Sequence, residues 1–141
     1  MADFNPKEYN WAKCVPELLV SSFAESLAFY KMAGFTDVYQ RQNFAYLEYQ
    51  GAQFMISQRN NWWETGEMEK PYGRGVNFQF STNELDKLIE RFKTAGIELY
   101  EGKKEKWRDL GGVQGGSIEF LVQDPDGYLL RFLQQIDSPR P

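Results

Sequence analysis

The chain has 141 residues, no histidine, a single cysteine and a formal net charge of −4 at pH 7. The acidic balance argues against phosphate-backbone binding, while the missing histidine excludes His-containing catalytic dyads and zinc sites. No apolar run approaches the roughly 20 residues that span a bilayer, and the N-terminus lacks the pattern of a signal peptide. We therefore expect a cytoplasmic protein with neither nucleic-acid nor membrane partners.

The first half of the chain predicts one strand, one helix and a meander of three strands. Val15–Val20 alternates and is apolar, as expected of a strand. Ser22 and Glu25 have the spacing of a capping box at the start of a helix, and Gly34 is a typical helix stop. The three further strand candidates are Thr36–Arg41, Phe44–Tyr49 and Ala52–Gln58, with turns at Gln42-Asn43 and Gln50-Gly51.

A polar stretch from Arg59 to Gly75 follows, and after it the same order of elements returns. Val76–Phe80 alternates as a strand, Asn83 can cap a helix, and Gly96 ends it. The remaining strand candidates are Ile97–Tyr100, Ser117–Val122 and Tyr128–Leu133. The connections are predicted to be a charged loop at Lys103–Arg108, a flexible segment at Gly111–Gly116 and a turn at Asp124–Gly127.

The two halves therefore share one pattern. A shift of 62 residues aligns the helix positions and the stop glycines, placing Phe23 on Leu85, Leu27 on Ile89, Tyr30 on Phe92 and Gly34 on Gly96. A repeated unit of this kind predicts an α+β fold in which two βαβββ modules form a curved sheet around a cleft. We place module 1 at about 12–58, a loop at about 59–74 and module 2 at about 75–135, within one domain of residues 1–141.

Four stretches of the chain, in this order and spacing, resemble a known superfamily. They are Val15–Leu18, Ser26–Lys31 together with Gly34-Phe35, Phe54–Ser57 and the most recognisable one, Phe120–Phe132. Together they are similar to the vicinal oxygen chelate superfamily, which contains glyoxalases, extradiol dioxygenases, fosfomycin-resistance enzymes and bleomycin-resistance proteins. The resemblance covers nearly the whole chain and implies the glyoxalase/bleomycin-resistance fold.

Enzymes of this superfamily generally hold a divalent metal with His, Gln or Glu ligands. The resemblance carries the four ligand positions onto Val15, Met55, Asn77 and Arg131. Valine cannot ligate a metal, methionine is a poor ligand for a hard cation and a lone asparagine is weak. The fixed positive charge of arginine would repel the ion. We therefore expect no metal, no other cofactor, no catalytic residues and no Lewis-acid mechanism.

The non-enzymatic bleomycin-resistance proteins are short, acidic, metal-free and dimeric. The resemblance to them implies a homodimer that sequesters a small-molecule drug, such as a cationic glycopeptide antibiotic, without turnover. One departure is Gly116, which stands before Ser117 where some of these proteins carry a stacking indole. Two alternatives stay open. One is a glyoxalase-like isomerase, lyase or transferase that uses Glu17 or Glu119, and the other is a module that binds a metabolite.

Strand alternation around the four lost ligand positions indicates which side chains contact a ligand. Arg131 and Glu119 either neutralise each other or receive a ligand anion and a ligand amine, with Glu17 as a second amine receptor. Trp62 and Trp63 either cover the core or form a stacking wall for a planar heteroaromatic group. The candidate ligand-binding residues are Glu17, Met55, Trp62, Trp63, Asn77, Gln79, Trp107, Glu119 and Arg131.

Overall fold

The computed structural model describes residues 4–137. The chain separates into two compact units, Met1–Tyr72 and Gly73–Pro141. Each unit contains one strand, one helix and three further strands in that order, so the predicted βαβββ duplication is confirmed. No helix among the described residues is long and apolar enough to cross a membrane.

Module 1 is a four-stranded mixed sheet with one helix. Its elements are β1 (Glu17–Val20), α1 (Phe23–Ala33), β2 (Thr36–Arg41), β3 (Phe44–Tyr49) and β4 (Ala52–Gln58). The strand order is β1-β4-β3-β2, with β1 parallel to β4. The predicted bounds of β2, β3 and β4 are confirmed. The tight turn at Gln50-Gly51, with φ values of 47° and 91°, ends β3 and starts β4.

Helix α1 begins and ends where its capping residues predict. The Ser22 hydroxyl accepts a hydrogen bond from the Glu25 backbone N–H at 3.3 Å. Gly34 adopts a left-handed conformation with φ 112°, and its N–H donates to the Lys31 carbonyl at 3.1 Å. The helix packs Tyr30 against Phe54 of β4, with ring centroids 5.0 Å apart. The neighbouring residues of β4, which alternate with Phe54, therefore lie on the side of the sheet away from α1.

Module 2 repeats this arrangement. Its elements are β5 (Asn77–Ser81), α2 (Leu85–Thr94), β6 (Glu101–Asp109), β7 (Gln114–Gln123) and β8 (Leu129–Ile136). The strand order is β5-β8-β7-β6, with β5 parallel to β8. In the two parallel ladders, Glu17 is paired with Met55 and Gln79 with Arg131, so the shift of 62 residues holds for the first strand of each module, whereas the last strands are displaced by 76 residues. The rings of Phe92, Phe120 and Phe132 pack together between α2 and the sheet.

Strand β6 corrects the prediction for this part of the chain. The predicted strand Ile97–Tyr100 precedes the observed one, and Lys103–Arg108, predicted as a loop, lies inside β6. The segment is an edge strand, paired only with β7 in the sheet order, so it needs no continuous apolar face. Charged residues lie on both sides of the strand, and Trp107 is its one large apolar residue, so the sequence shows no alternation of polar and apolar side chains.

Two further boundary predictions differ from the structure. The N-cap of α2 is Glu84 rather than Asn83, and Glu84 makes no side-chain cap hydrogen bond. Of the glycines predicted to be a flexible connection, Gly115 and Gly116 lie within β7. A Cβ atom on Gly116 would lie 2.6 Å from the Trp107 ring, so the bare backbone makes room for the indole.

Candidate functional site

Each sheet has one side away from its helix, and the candidate residues are concentrated there. In module 1 this side carries Tyr39, Tyr46, Gln53 and Met55, and we call it the aromatic face. In module 2 it carries Gln79, Lys106, Arg108, Glu119 and Arg131, and we call it the polar face. Successive side chains of a strand point to opposite sides of the sheet. The residues that alternate with those named here pack on the helices.

Glu119 is the buried charge at the centre of the polar face, with only 1% of its surface exposed. Arg108 donates to both carboxylate oxygens through its two terminal nitrogens. The Ser117 hydroxyl donates to Oε2 at 2.6 Å. Lys106 Nζ and Arg131 Nη1 each lie 3.9 Å from Oε1. The predicted pair of Glu119 and Arg131 is thus a long contact, and Arg108 is the main partner of the carboxylate.

These contacts hold Glu119 in its ionised form. Burial by itself would raise the pKa of Glu119, but the hydrogen bonds from Arg108 and Ser117 outweigh it and hold the pKa below its ordinary value of 4.5. The same pairing raises the pKa of Arg108, chiefly through its hydrogen bond to Glu119. Because its oxygens are occupied by these donors, Glu119 is a poor general base and a poor receptor for a ligand amine.

Arg131 is held in position but not fully paired. Its Nη2 donates to Gln79 Oε1 at 2.6 Å, which fixes the plane of the guanidinium. Its Nε is buried and has no hydrogen-bond partner among the described residues. Four cations, Lys104, Lys106, Arg108 and Arg131, surround two carboxylates, Glu101 and Glu119, so the polar face has two positive charges in excess.

The aromatic face of module 1 is covered by the N-terminal part of the chain. We call Phe4–Ala12 the N-terminal strap. Its aromatic side chains, Phe4, Tyr9 and Trp11, pack on the aromatic face. Met55, predicted to contact a ligand, is half-buried in this apolar cluster together with Val15. Its ladder partner Glu17 is exposed at the edge of the same sheet.

The residues present do not fit the metal that enzymes of this fold hold. Two of the four positions, Val15 and Met55, belong to the apolar cluster under the strap. The third, Asn77, is exposed, and the fourth is the cation Arg131. Among residues 4–137, no group of three or more His, Cys, Asp or Glu side chains is arranged to hold a metal ion. The donor set therefore offers a hard cation no suitable shell.

Of the three candidate tryptophans, two lie in an exposed loop and the third lies in β6. Trp62 and Trp63 are 78% and 58% exposed, so neither of them covers the core. Their loop is held by a salt bridge of 2.7 Å between Arg59 and Glu64. Trp107 pairs with Gly116 across the β6–β7 ladder and lies on the α2 side of the sheet, opposite the polar face. Its indole N–H donates to Glu105 at 2.8 Å.

Sequence reasoning did not identify several residues that the fold brings to these faces. On the polar face they are Lys106, Arg108 and Ser117, and on the aromatic face they are Tyr9, Trp11, Tyr39 and Tyr46. The period-two spacing of Lys104, Lys106 and Arg108 is the signal that could have placed the basic residues on one side of a strand. The strap has no equivalent signal, because its aromatic residues follow no regular period.

Comparison with known proteins identifies the family to which these features belong. A family model described as the Glyoxalase/Bleomycin resistance protein/Dioxygenase superfamily matches residues 12–132. A lactoylglutathione lyase of Arabidopsis thaliana is 33% identical over 66 residues, which are 46% of this chain and only 21% of that enzyme.

Solved structures show the same fold. A virulence protein from Salmonella typhimurium is 22% identical with a TM-score of 0.65, over 91% of this chain and 100% of that one. A glyoxalase/bleomycin resistance protein/dioxygenase from Alicyclobacillus acidocaldarius is 21% identical with a TM-score of 0.59, over 89% of this chain and 93% of that one. At these identities the likeness concerns the fold alone.

Proposed function

This chain belongs to the glyoxalase/bleomycin resistance protein/dioxygenase superfamily, and on that basis we propose that it is a metal-independent binding protein that holds a small molecule without turnover. We propose further that the polar face of module 2 receives an anionic group of that ligand. The observation that carries the proposal is Arg131, which stands at a metal-ligand position of the family and has a side chain that Gln79 orients and that is 27% exposed.

An arginine can replace the binding role of a metal but not its chemistry. Its guanidinium is a permanent cation that binds carboxylate or phosphate groups through two parallel hydrogen bonds. Gln79 fixes the guanidinium of Arg131 with a hydrogen bond of 2.6 Å, which lowers the entropy lost when an anion binds. The guanidinium has no exchangeable coordination position, so it can neither activate a water molecule nor act as a Lewis acid in the manner of a metal ion.

The charge of the polar face favours an anionic ligand over the cationic antibiotic that the resemblance implies. Glu119, the buried carboxylate there, is already paired with Arg108, and the excess charge around it is positive. A cationic drug would be repelled from this face and would need Glu17 or the exposed tryptophans instead. We therefore keep the sequestering mechanism of the bleomycin-resistance proteins and propose a ligand of the opposite charge.

A second candidate is an isomerase or lyase activity, favoured by the partial match to a lactoylglutathione lyase. Such an enzyme needs a group that accepts a proton from the substrate. Glu119 is held ionised with its oxygens occupied, so it does not meet this requirement well. We rank this candidate below ligand binding for that reason.

From the family resemblance we also propose a homodimer, which sedimentation velocity would test.

Calorimetric titration of EDTA-treated protein would test the proposal. One titrant set contains small aromatic carboxylates and phosphonates, and the other contains metal-free bleomycin. Arg131→Gln removes the charge but retains hydrogen-bond capacity, and Lys87→Gln, at an exposed position on α2, removes a charge away from the polar face. We expect an anionic compound to bind without metal, and Arg131→Gln to weaken it at least about tenfold, or 1.4 kcal/mol, with no effect of Lys87→Gln.

Three results would contradict this function. Bleomycin could bind one per chain with the same affinity in wild type and Arg131→Gln, which would restore the cationic ligand. Binding could require added metal, which would contradict the conclusion drawn from the four lost ligand positions. Conversion of a bound compound, detected by NMR of the mixture, would move the enzyme candidate to first place.

A further inference from the structure

We infer that Trp62 and Trp63 form a binding site for a quaternary ammonium group, which enters the corner between their two indoles. The residues that carry this inference belong to the first unit, Met1–Tyr72. The inference goes beyond the function proposed above, because that function concerns an anionic group bound at Arg131.

The two tryptophans are an exception on the surface of the protein. Trp62 is 78% and Trp63 is 58% exposed, although each carries a large apolar ring that most proteins cover. Among residues 4–137, neither indole packs on any ring but that of its neighbour, and no cationic side chain lies over either ring. Adjacent exposed apolar side chains of this size are typical of a surface that binds a ligand or a partner.

The loop that carries the two tryptophans has a fixed backbone. Arg59 donates to both carboxylate oxygens of Glu64, at 3.2 and 2.7 Å. The same carboxylate accepts the Asn61 N–H at 3.3 Å, and the Asn60 side chain accepts the Trp62 N–H at 3.0 Å. These bonds close the loop without using either indole. The backbone at the tryptophans is therefore in place before a ligand arrives, which reduces the entropy lost on binding.

The relative orientation of the indoles selects the shape of the ligand. Their planes are 81° apart and their ring centroids are 6.5 Å apart, so the rings stand as two walls of a corner. A group equidistant from both walls lies about 4.6 Å above each ring, inside the limit of roughly 6 Å for a cation–π interaction. A flat heteroaromatic ring or a guanidinium stacks on only one of two perpendicular walls. A tetrahedral quaternary ammonium is nearly spherical and contacts both of them.

The charge of the surrounding segment favours a cation. From Arg59 to Lys70 it contains three glutamates and two basic residues. Arg59 is neutralised by Glu64, whereas Glu67 is exposed and makes no hydrogen bond or ion pair with another residue among 4–137. A free carboxylate in the same loop attracts a positively charged group. Because a primary ammonium is strongly hydrated, it loses more than a methylated one on leaving water.

The test uses the full chain with ¹⁵N-labelled tryptophan, since the four indole N–H signals report on each tryptophan separately. Trp62→Phe and Trp63→Phe assign the two signals of the corner. Choline is the cationic probe, and 3,3-dimethylbutan-1-ol is its uncharged isostere, in which carbon replaces the nitrogen. We expect choline to shift both signals saturably with one common dissociation constant, and the alcohol to bind at least about fivefold more weakly.

The variants Trp62→Ala and Trp63→Ala should each weaken choline binding at least about threefold, because each removes one wall of the corner. The signal of the remaining tryptophan measures the affinity. Tyr100→Ala is the matched control, since it removes an aromatic side chain of similar exposure, 63%. It should leave the choline affinity unchanged.

Two peptides distinguish the possible sources of such a group. A short peptide with one trimethyllysine represents a group carried by a protein, whereas choline represents a free small molecule, and the tighter of the two identifies the source. The same peptide with unmodified lysine should bind at least about threefold more weakly than the trimethylated one.

The wild type alone is sufficient to overturn the inference. Equal binding of choline and its uncharged isostere would show that the positive charge is not recognised. A shift of only one of the two indole signals would show that the corner is not used. Equal binding of the two peptides would contradict the preference for methylation, and the absence of a saturable shift with choline and with both peptides would remove the site altogether.

Discussion

Replacement of Arg108 by methionine leaves the buried Glu119 carboxylate without the guanidinium that donates to both of its oxygens. Removal of one partner of a fully buried ion pair destabilises a protein by about 3–5 kcal/mol. We expect a smaller loss of about 2 kcal/mol, because the Arg108 side chain is 40% exposed and water already screens the pair. Ser117, Lys106 and Arg131 also still face the carboxylate.

The loss should depend on pH in a direction set by the pKa of Glu119. In the wild type this pKa lies below 4.5, so the stabilisation is present at pH 7 and disappears as the pH falls below 4.5 through the folded-state pKa. In Arg108→Met, burial with fewer donors raises the pKa, so Glu119 binds its proton at higher pH and the penalty is relieved. The difference in unfolding free energy between the two proteins should therefore shrink from pH 7 towards pH 4.5.

Urea unfolding followed by tryptophan fluorescence at several pH values measures this difference from the midpoint and the slope. The double variant Arg108→Met/Glu119→Gln should recover much of the loss, because the buried carboxylate is no longer charged. Lys87→Met, an exposed cation on α2, is the control. Either of two results would refute the reasoning on the buried pair. One is a loss of unfolding free energy in Arg108→Met that equals that of Lys87→Met within about 0.5 kcal/mol. The other is a loss that is the same at every pH.

Substitutions at two glycines and at two tryptophans test other parts of the structure. Gly73 and Gly75 have φ values of 72° and 85°, but only at Gly73 would a Cβ atom lie 2.7 Å from a buried side chain, that of Tyr128. We expect Gly75→Ala to cost about 1 kcal/mol and Gly73→Ala about 1–3 kcal/mol more; equal losses in thermal unfolding would contradict the steric argument. Because Trp62 and Trp63 are largely exposed, their alanine variants should change the unfolding free energy by less than about 0.5 kcal/mol each. A larger loss would mean that the loop packs more tightly than the structure indicates.

Local patterns were sufficient to predict the order of elements and much of their extent. The three strands Thr36–Arg41, Phe44–Tyr49 and Ala52–Gln58 follow from alternation and from residues that tolerate positive φ in the turns. The limits of α1 follow from Ser22 and Gly34. The duplication could be recognised because both helices and their stop glycines recur at one spacing. In the structure, the first and last strands of each module also pair in parallel.

Alternation also placed Glu119, Arg131 and Gln79 on one side of a sheet, as the structure does. It could not identify Arg108 as the partner of Glu119, because that contact depends on how β6 is aligned with β7 across the ladder. Strand β6 itself was missed because an edge strand exposed to water carries no apolar repeat.

The cover of the aromatic face depends on contacts far apart in the sequence. Gln53 bonds to Asn10 and Ala12 from more than 40 residues away, and Tyr9 reaches Glu48. Periodicity describes neighbours along one element, and it therefore predicts which face a residue occupies. Only the packed chain determines which other segment lies on that face, because long-range contacts are selected by the burial of all apolar surfaces together.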